Sequence, residues 1–131
     1  MTALATRIAL ALALVAATGC APVPPRSVGT SPDSWPARID GAGTEPFWAL
    51  AIDGQAVRYT SPDEPAGRGG TVVRAGAHGR LVLSGTLAGE SLRAELTRET
   101  CSDGMSDRVW PFRLAVTLGA RTLSGCAAPR A

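Results

Sequence analysis

Between residues 37 and 131 apolar and polar side chains alternate in short runs, broken by glycine, proline and acidic turn residues. Successive side chains of a strand point to opposite faces, so this alternation predicts strands. Residues 46–52 place Phe47, Ala49 and Ala51 on one face and Trp48, Leu50 and Ile52 on the other. Asp53-Gly54 follows, a hairpin signal because a type I′ turn needs positive φ at its central positions. Residues 55–60 return. Residues 61–70 (SPDEPAGRGG) read as a polar loop and 71–75 as a short β-branched strand. Gly76-Ala77-His78-Gly79 turns the chain into a strand over 80–87, and Ala88-Gly89-Glu90 turns it into another over 91–100. There Leu92, Ala94 and Leu96 alternate with Arg93, Glu95 and Thr97. Residues 101–108 form a loop. Residues 109–118 form a long strand with Trp110, Phe112, Leu114 and Val116 on one face, and Gly119-Ala120 turns into a last strand over 121–127.

This amounts to about seven strands, with an eighth around residues 37–41, and no segment has a helical period. Short strands with turn signals between them predict an all-β domain, a small antiparallel up-and-down barrel or a sandwich. Closure into a barrel removes exposed sheet edges, which suits a chain with no lysine to guard them.

The start of the chain follows another pattern. Arg7 precedes an unbroken apolar run over residues 8–17 (IALALALVAA), which ends at Ala17-Thr18-Gly19-Cys20. A basic n-region, a short apolar h-region and small residues at the junction predict a secretory signal peptide over 1–19. The run is about half the ~20 residues of a spanning helix. Small residues directly before Cys20 resemble the bacterial lipobox, with Ala17 where most lipoboxes carry leucine. The resemblance implies that Cys20 is acylated and becomes the first mature residue. Residues 21–36 hold five prolines among Ser, Thr and Gly. Proline removes a backbone donor and fixes φ, so 20–36 read as an extended tether reaching on the order of 50 Å at ~3.1 Å per residue. Trp35 is where the chain is expected to meet the folded body, 37–131.

Without the signal segment twelve arginines face eleven acids, scattered rather than clustered. A nucleic-acid binder shows a basic stripe; this surface is mixed, and no nucleic-acid partner is expected. With Cys20 lipidated, Cys101 and Cys126 remain, and an even remainder in an exported chain predicts one disulfide. In a meander the two cysteines lie at one end of the sheet with a strand between them, about 9–10 Å apart in register. That exceeds the roughly 4.4–6.8 Å of a disulfide. The bridge therefore requires Cys101 to leave its strand and fold across the next.

Catalytic constellations are weak. His78, the sole histidine, lies in a glycine-flanked turn, whereas a triad base needs a third group and rigid packing. Committed cysteines and one imidazole argue against structural zinc. The glycines at 41–43 and 67–70 lack the strand–glycine–helix unit of a phosphate cradle. Two segments rise above this background. Gly43-Thr44-Glu45-Pro46-Phe47-Trp48 reads either as a strand-entry turn with an aromatic anchor or as part of a binding surface. Cys101-Ser102-Asp103-Gly104-Met105-Ser106-Asp107, running into Trp110-Pro111-Phe112, reads either as self-satisfied Asx and Ser turns or as a recognition loop. An oxygen-rich cation site from Asp103, Asp107 and Glu45 lacks the EF-hand spacing. A glycosidase pair has only carboxylate spacing in its favour.

The strings GTEPFW and CSDGMSD, the aromatic-Pro pair and the C-terminal Leu-Ser-Gly-Cys together resemble a family of uncharacterised bacterial envelope lipoproteins and membrane proteins, over residues 41–126. Trp110 stands where that family prefers tyrosine. The family has no agreed activity, so the resemblance implies class and address without chemistry. A looser architectural likeness is to small periplasmic β-barrel lipoproteins that inhibit C-type lysozyme.

The expectation is a non-enzymatic, lipid-anchored envelope protein without cofactor or metal. It is monomeric and held at the outer membrane facing the periplasm. It binds an unknown protein or small ligand through the 101–108 end of the domain, with Glu45, Trp48, Ser102, Asp103, Gly104, Met105, Asp107 and Trp110 as the contact set. Two alternatives stand beside it: an inhibitor of lysozyme or another wall hydrolase, and a purely structural envelope protein.

Overall fold

The computed structural model describes Gly19 and residues 34–131. The signal peptide expected over 1–19 (all but Gly19), Cys20 with its expected acylation, and the expected tether up to residue 33 lie outside the described residues. Among the described residues ten strands follow one another: β1 (Arg38–Thr44), β2 (Phe47–Asp53), β3 (Ala56–Ser61), β4 (Glu64–Ala77), β5 (Arg80–Leu87), β6 (Glu90–Thr97), β7 (Cys101–Ser102), β8 (Val109–Trp110), β9 (Phe112–Leu118) and β10 (Arg121–Pro129). Eight of them close an antiparallel barrel in the order β1-β10-β9-β6-β5-β4-β3-β2, and β7 and β8 form a separate two-stranded ribbon. The up-and-down topology is thus the expected one, interrupted once between β6 and β9.

The alternation sets the inside and the outside. Trp48, Leu50 and Ile52 of β2, Leu92, Ala94 and Leu96 of β6, and Phe112, Leu114, Val116 and Leu118 of β9 are buried in one core. No polar or charged residue is buried among the described residues. The expected eighth strand is β1, and it closes the ring by pairing Ala42 with Cys126 and Gly41 with Ala127.

Three expectations are corrected. Residues 61–70 are not a loop, because β4 begins at Glu64 and extends the predicted 71–75 strand at both ends. Arg68 is paired with Tyr59, and its guanidinium bonds Glu64 at 2.7 Å and Glu90 at 2.9 Å, so ladder and ion pairs outweigh the loop-like composition. The hairpin after β2 turns at Gly54-Gln55, one residue later than expected, with Gly54 at φ 60° in the first central position. Residues 109–118 are not one strand. Pro111 breaks them into β8 and β9, which sends Trp110 out of the inner core.

One end of the barrel, where β2 turns into β3 and β4 into β5, is plugged by the incoming chain. Half-buried Trp35 packs on the core with its ring 4.9 Å from that of Phe112. Arg98 lies 4.5 Å over the Trp35 ring and donates to the Ser34 carbonyl at 2.6 Å. Arg74 donates to the carbonyls of Pro36 (2.6 Å), Gly54 (3.0 Å) and Ala37 (3.3 Å). Among the described residues, Trp35 is thus packed on the folded body.

Candidate functional site

The excursion over residues 98–111 forms a flap against the outer wall of the barrel. Leu123 and Ala127 of β10 point into the core, so Cys126, in the opposite phase, points outward. Cys101 reaches it from β7, giving a disulfide with Cα atoms 5.6 Å apart. β6 has ended at Thr97, so Cys101 is no longer bound to the sheet register; the bridge closes because the chain has left its strand. The bond sits in a small second cluster of Cys101, Trp110, Cys126 and Ala128, with Ala42 of β1 packed beside it. That cluster glues the flap to the wall, and the disulfide closes a separation of 25 residues.

Within the flap the backbone is satisfied locally. The Asp103 carboxylate accepts from the amides of Met105 and Ser106 (both 3.0 Å), from Ser106 Oγ (3.0 Å) and from Trp110 Nε1 (3.4 Å). Those backbone bonds hold its carboxyl below the usual carboxylate range. Ser102 Oγ accepts from the Gly104 amide and Ser106 Oγ from the Arg108 amide. Gly104 has φ 72°, the left-handed turn conformation that glycine adopts without a steric penalty. The Arg108 guanidinium covers the Trp110 ring at 3.8 Å. The turn chemistry of Asp103, Ser102 and Ser106 is therefore scaffolding. What the flap presents outward is Met105 (66% exposed), Val109 (68% exposed) and Asp107.

The other sequence-predicted residues separate. Trp48 is inside the barrel, with its ring stacked 6.5 Å from that of Tyr59. It fits because positions 43 and 125 are glycines. A Cβ at Gly43 would overlap the indole, and one at Gly125 would sit 3.0 Å from it. Glu45 lies in the exposed β1–β2 turn, before Pro46. Trp110 is buried beneath the flap. Trp48 and Trp110 thus support the surface from below, while Glu45, Met105 and Asp107 remain accessible. No group of three or more His, Cys, Asp or Glu side chains converges as a cation site among the described residues. His78 is exposed in a two-residue turn at φ 53°.

Two hollows mark the outer wall. One, of about 220 Å³, lies between the flap and β1, β9 and β10, and is bordered by Thr44, Ser102, Asp103, Ala115 and Ser124. The other, of about 500 Å³, opens over β1, β2 and the β3–β4 turn, and is bordered by Phe47, Ala49, Thr60, Pro62 and Pro65. They share Ala42, Gly43 and Thr44. Sequence reasoning missed the second hollow. Its signal was Phe47, a large ring on the same strand face as two alanines, 54% exposed in the fold. Pro62 and Pro65 fall in the segment whose composition reads as a polar loop.

Comparison of the chain with protein-family models, curated proteins and solved structures finds no match.

Proposed function

We propose that this chain is a lipid-anchored envelope protein that binds a partner protein on the outer wall of its barrel, beside the disulfide-held flap, and carries out no chemistry itself. The observation that carries the reading is the flap. It is ordered in the free chain by a disulfide and by the Asp103 network, yet it turns Met105 and Val109 to solvent. Ordering a contact loop beforehand lowers the entropy cost of association. An exposed methionine is an adaptable apolar contact. The barrel interior is packed with leucine, valine and aromatic side chains, which favours the outer surface over an interior ligand.

The anchoring part rests on the ATGC junction after the apolar run. Two or more acyl chains anchor stably where one binds marginally. The expected result for Cys20→Ser is a chain released from membranes or retained as uncleaved precursor. Normal processing with unchanged membrane retention overturns it.

The binding part is tested by immobilising the full chain in detergent and capturing from envelope extract. Met105→Glu and Val109→Glu are expected to reduce capture at least tenfold, the size of a lost contact of about 1.4 kcal/mol, while the melting temperature holds. Capture that is indifferent to both substitutions refutes the flap as the contact. A protruding, pre-ordered loop also suits inhibition of a wall hydrolase; lysozyme assayed with a molar excess of the chain tests that reading.

A further inference from the structure

The two hollows are one groove. Its floor crosses five adjacent strands through small outward side chains: Thr60 on β3, Ala49 on β2, Ala42 and Thr44 on β1, Ser124 on β10 and Ala115 on β9. The register joins them side by side, with Ala49 opposite Thr60, Ala42 opposite Ala49, and Ser124 opposite Ala115. Four inter-strand spacings of roughly 4.8 Å give a run of roughly 19 Å, the length of about six residues of extended chain. Phe47 and Pro62 stand at one end, and the flap residues Ser102 and Asp103 at the other. The barrel is closed beneath, so none of its eight strands offers an edge for backbone pairing; recognition on the floor is by side chains and by the threonine and serine hydroxyls.

Charge bears on what such a groove would accept. Among the described residues Asp40, Asp53, Glu64, Glu90, Glu95 and Glu99 are each held by an arginine. Glu45, Asp63, Asp103 and Asp107 have no such ion pair. All four belong to the segments that bound the groove. Glu45 adjoins Thr44, Asp63 adjoins Pro62, Asp103 lines the flap side, and Asp107 is on the flap. Of the arginines nearby, Arg113, which lines the flap side, is paired with Glu99; Arg108 lies on the Trp110 face and Arg58 donates to the Ala66 carbonyl, and both keep their charge, so four acids outside ion pairs face two such cations and the balance stays negative. We propose that this groove takes an extended, arginine- or lysine-bearing polypeptide segment, whose small or apolar side chains lie on the alanine floor and whose cations meet Glu45, Asp63 and Asp107, with Asp103 adding to the negative field while it holds the flap. The proposal rests on the outer wall being the binding face and names the partner's chemistry.

The test uses the full chain in non-ionic detergent and a fluorescent capped peptide of about ten residues alternating arginine with leucine, read by anisotropy, with a glutamate–leucine peptide as control. The arginine peptide is expected to bind and the glutamate peptide not. The affinity should fall severalfold between about 10 mM and about 150 mM salt, because exposed charges are screened. Glu45→Gln with Asp63→Asn should weaken it about fivefold and Ala49→Arg about tenfold, whereas Asp53→Asn, far from the groove, leaves it unchanged. Absence of binding, equal binding of both peptides, or indifference to Ala49→Arg overturns the proposal. So does concentration-dependent dimerisation abolished by Ala49→Arg, which would make a second copy the occupant. If Met105→Glu abolishes partner capture while the arginine peptide fails to bind, the flap reading stands and the groove proposal falls. If the peptide binds and the flap variants capture normally, the reverse holds.

Discussion

Trp110 and Phe112 are two positions apart in the chain and lie on opposite sides of the barrel wall. Phe112 is in the inner core against Trp35, and Trp110 is in the outer cluster with the disulfide. Alternation would have put both on one face. Pro111, which has no amide hydrogen and a fixed φ, sits at a bend between them and resets the phase. The same break frees the 98–111 segment to cross the wall and bring Cys101 to Cys126.

The disulfide is therefore expected to stabilise the fold and to hold the flap. The non-reduced chain should be two hydrogens lighter than the dithiol. Cys101→Ser with Cys126→Ser should cost about 3.5 kcal/mol in urea unfolding, the chain-entropy value for closing a loop of this length. It should also open the flap to proteolysis before the barrel. Two freely alkylated thiols in the untreated chain would refute the bridge.

Flap order should depend on pH through Asp103. Its carboxyl is held below the usual range by the Met105 and Ser106 amides. A depressed carboxylate stabilises above its unfolded pKa, and the effect is lost as pH falls through the folded value. The protection factors of the Met105 and Ser106 amides, that is exchange normalised to the intrinsic rate at each pH, are expected to fall as pH drops below the ordinary aspartate range while the barrel amides stay protected. Asp103→Ala should give low protection factors for these two amides at every pH. Uniform protection of Met105 and Ser106 down to low pH in the parent chain would contradict this.

Trp35 should behave as part of the folded unit. Removing a fully buried Trp costs about 3–5 kcal/mol; for this half-buried ring Trp35→Ala is expected to cost about 2 kcal/mol. The urea midpoint should fall with the slope unchanged. A midpoint equal to that of the parent chain would mean that the plug is dispensable.

Ala88 offers a gain. It takes φ 48° in the β5–β6 turn before Gly89, where an L side chain other than Asn or Asp is disfavoured. Ala88→Asn creates the Asn-Gly pair preferred in such turns and is expected to add about 0.5–1 kcal/mol. A thermal melt decides it; an unchanged or lowered midpoint counts against the strain argument.

How much of this was legible beforehand follows from the range of the interactions. The two-residue alternation is local, so the strands around Leu50, Leu83, Leu96 and Leu114, and which side chains of 46–52 and 91–97 share a face, could be read from the chain directly. The departure of Cys101 from its strand was legible too, because the inter-strand spacing and the reach of a disulfide are both set by covalent geometry. Non-local contacts decided the rest. Residues 64–70 look like a loop until β3 supplies a ladder and Glu90 a partner for Arg68. GTEPFW looks like a surface motif until Gly43 and Gly125 are seen to make room for Trp48 inside the barrel. The groove needs Thr60, Ala42 and Ala115, distant in sequence and brought together only when β1 closes the ring against β10. Which acids lack an ion pair was open in the same way, because an ion pair is a contact across strands and is defined only once register and closure are set.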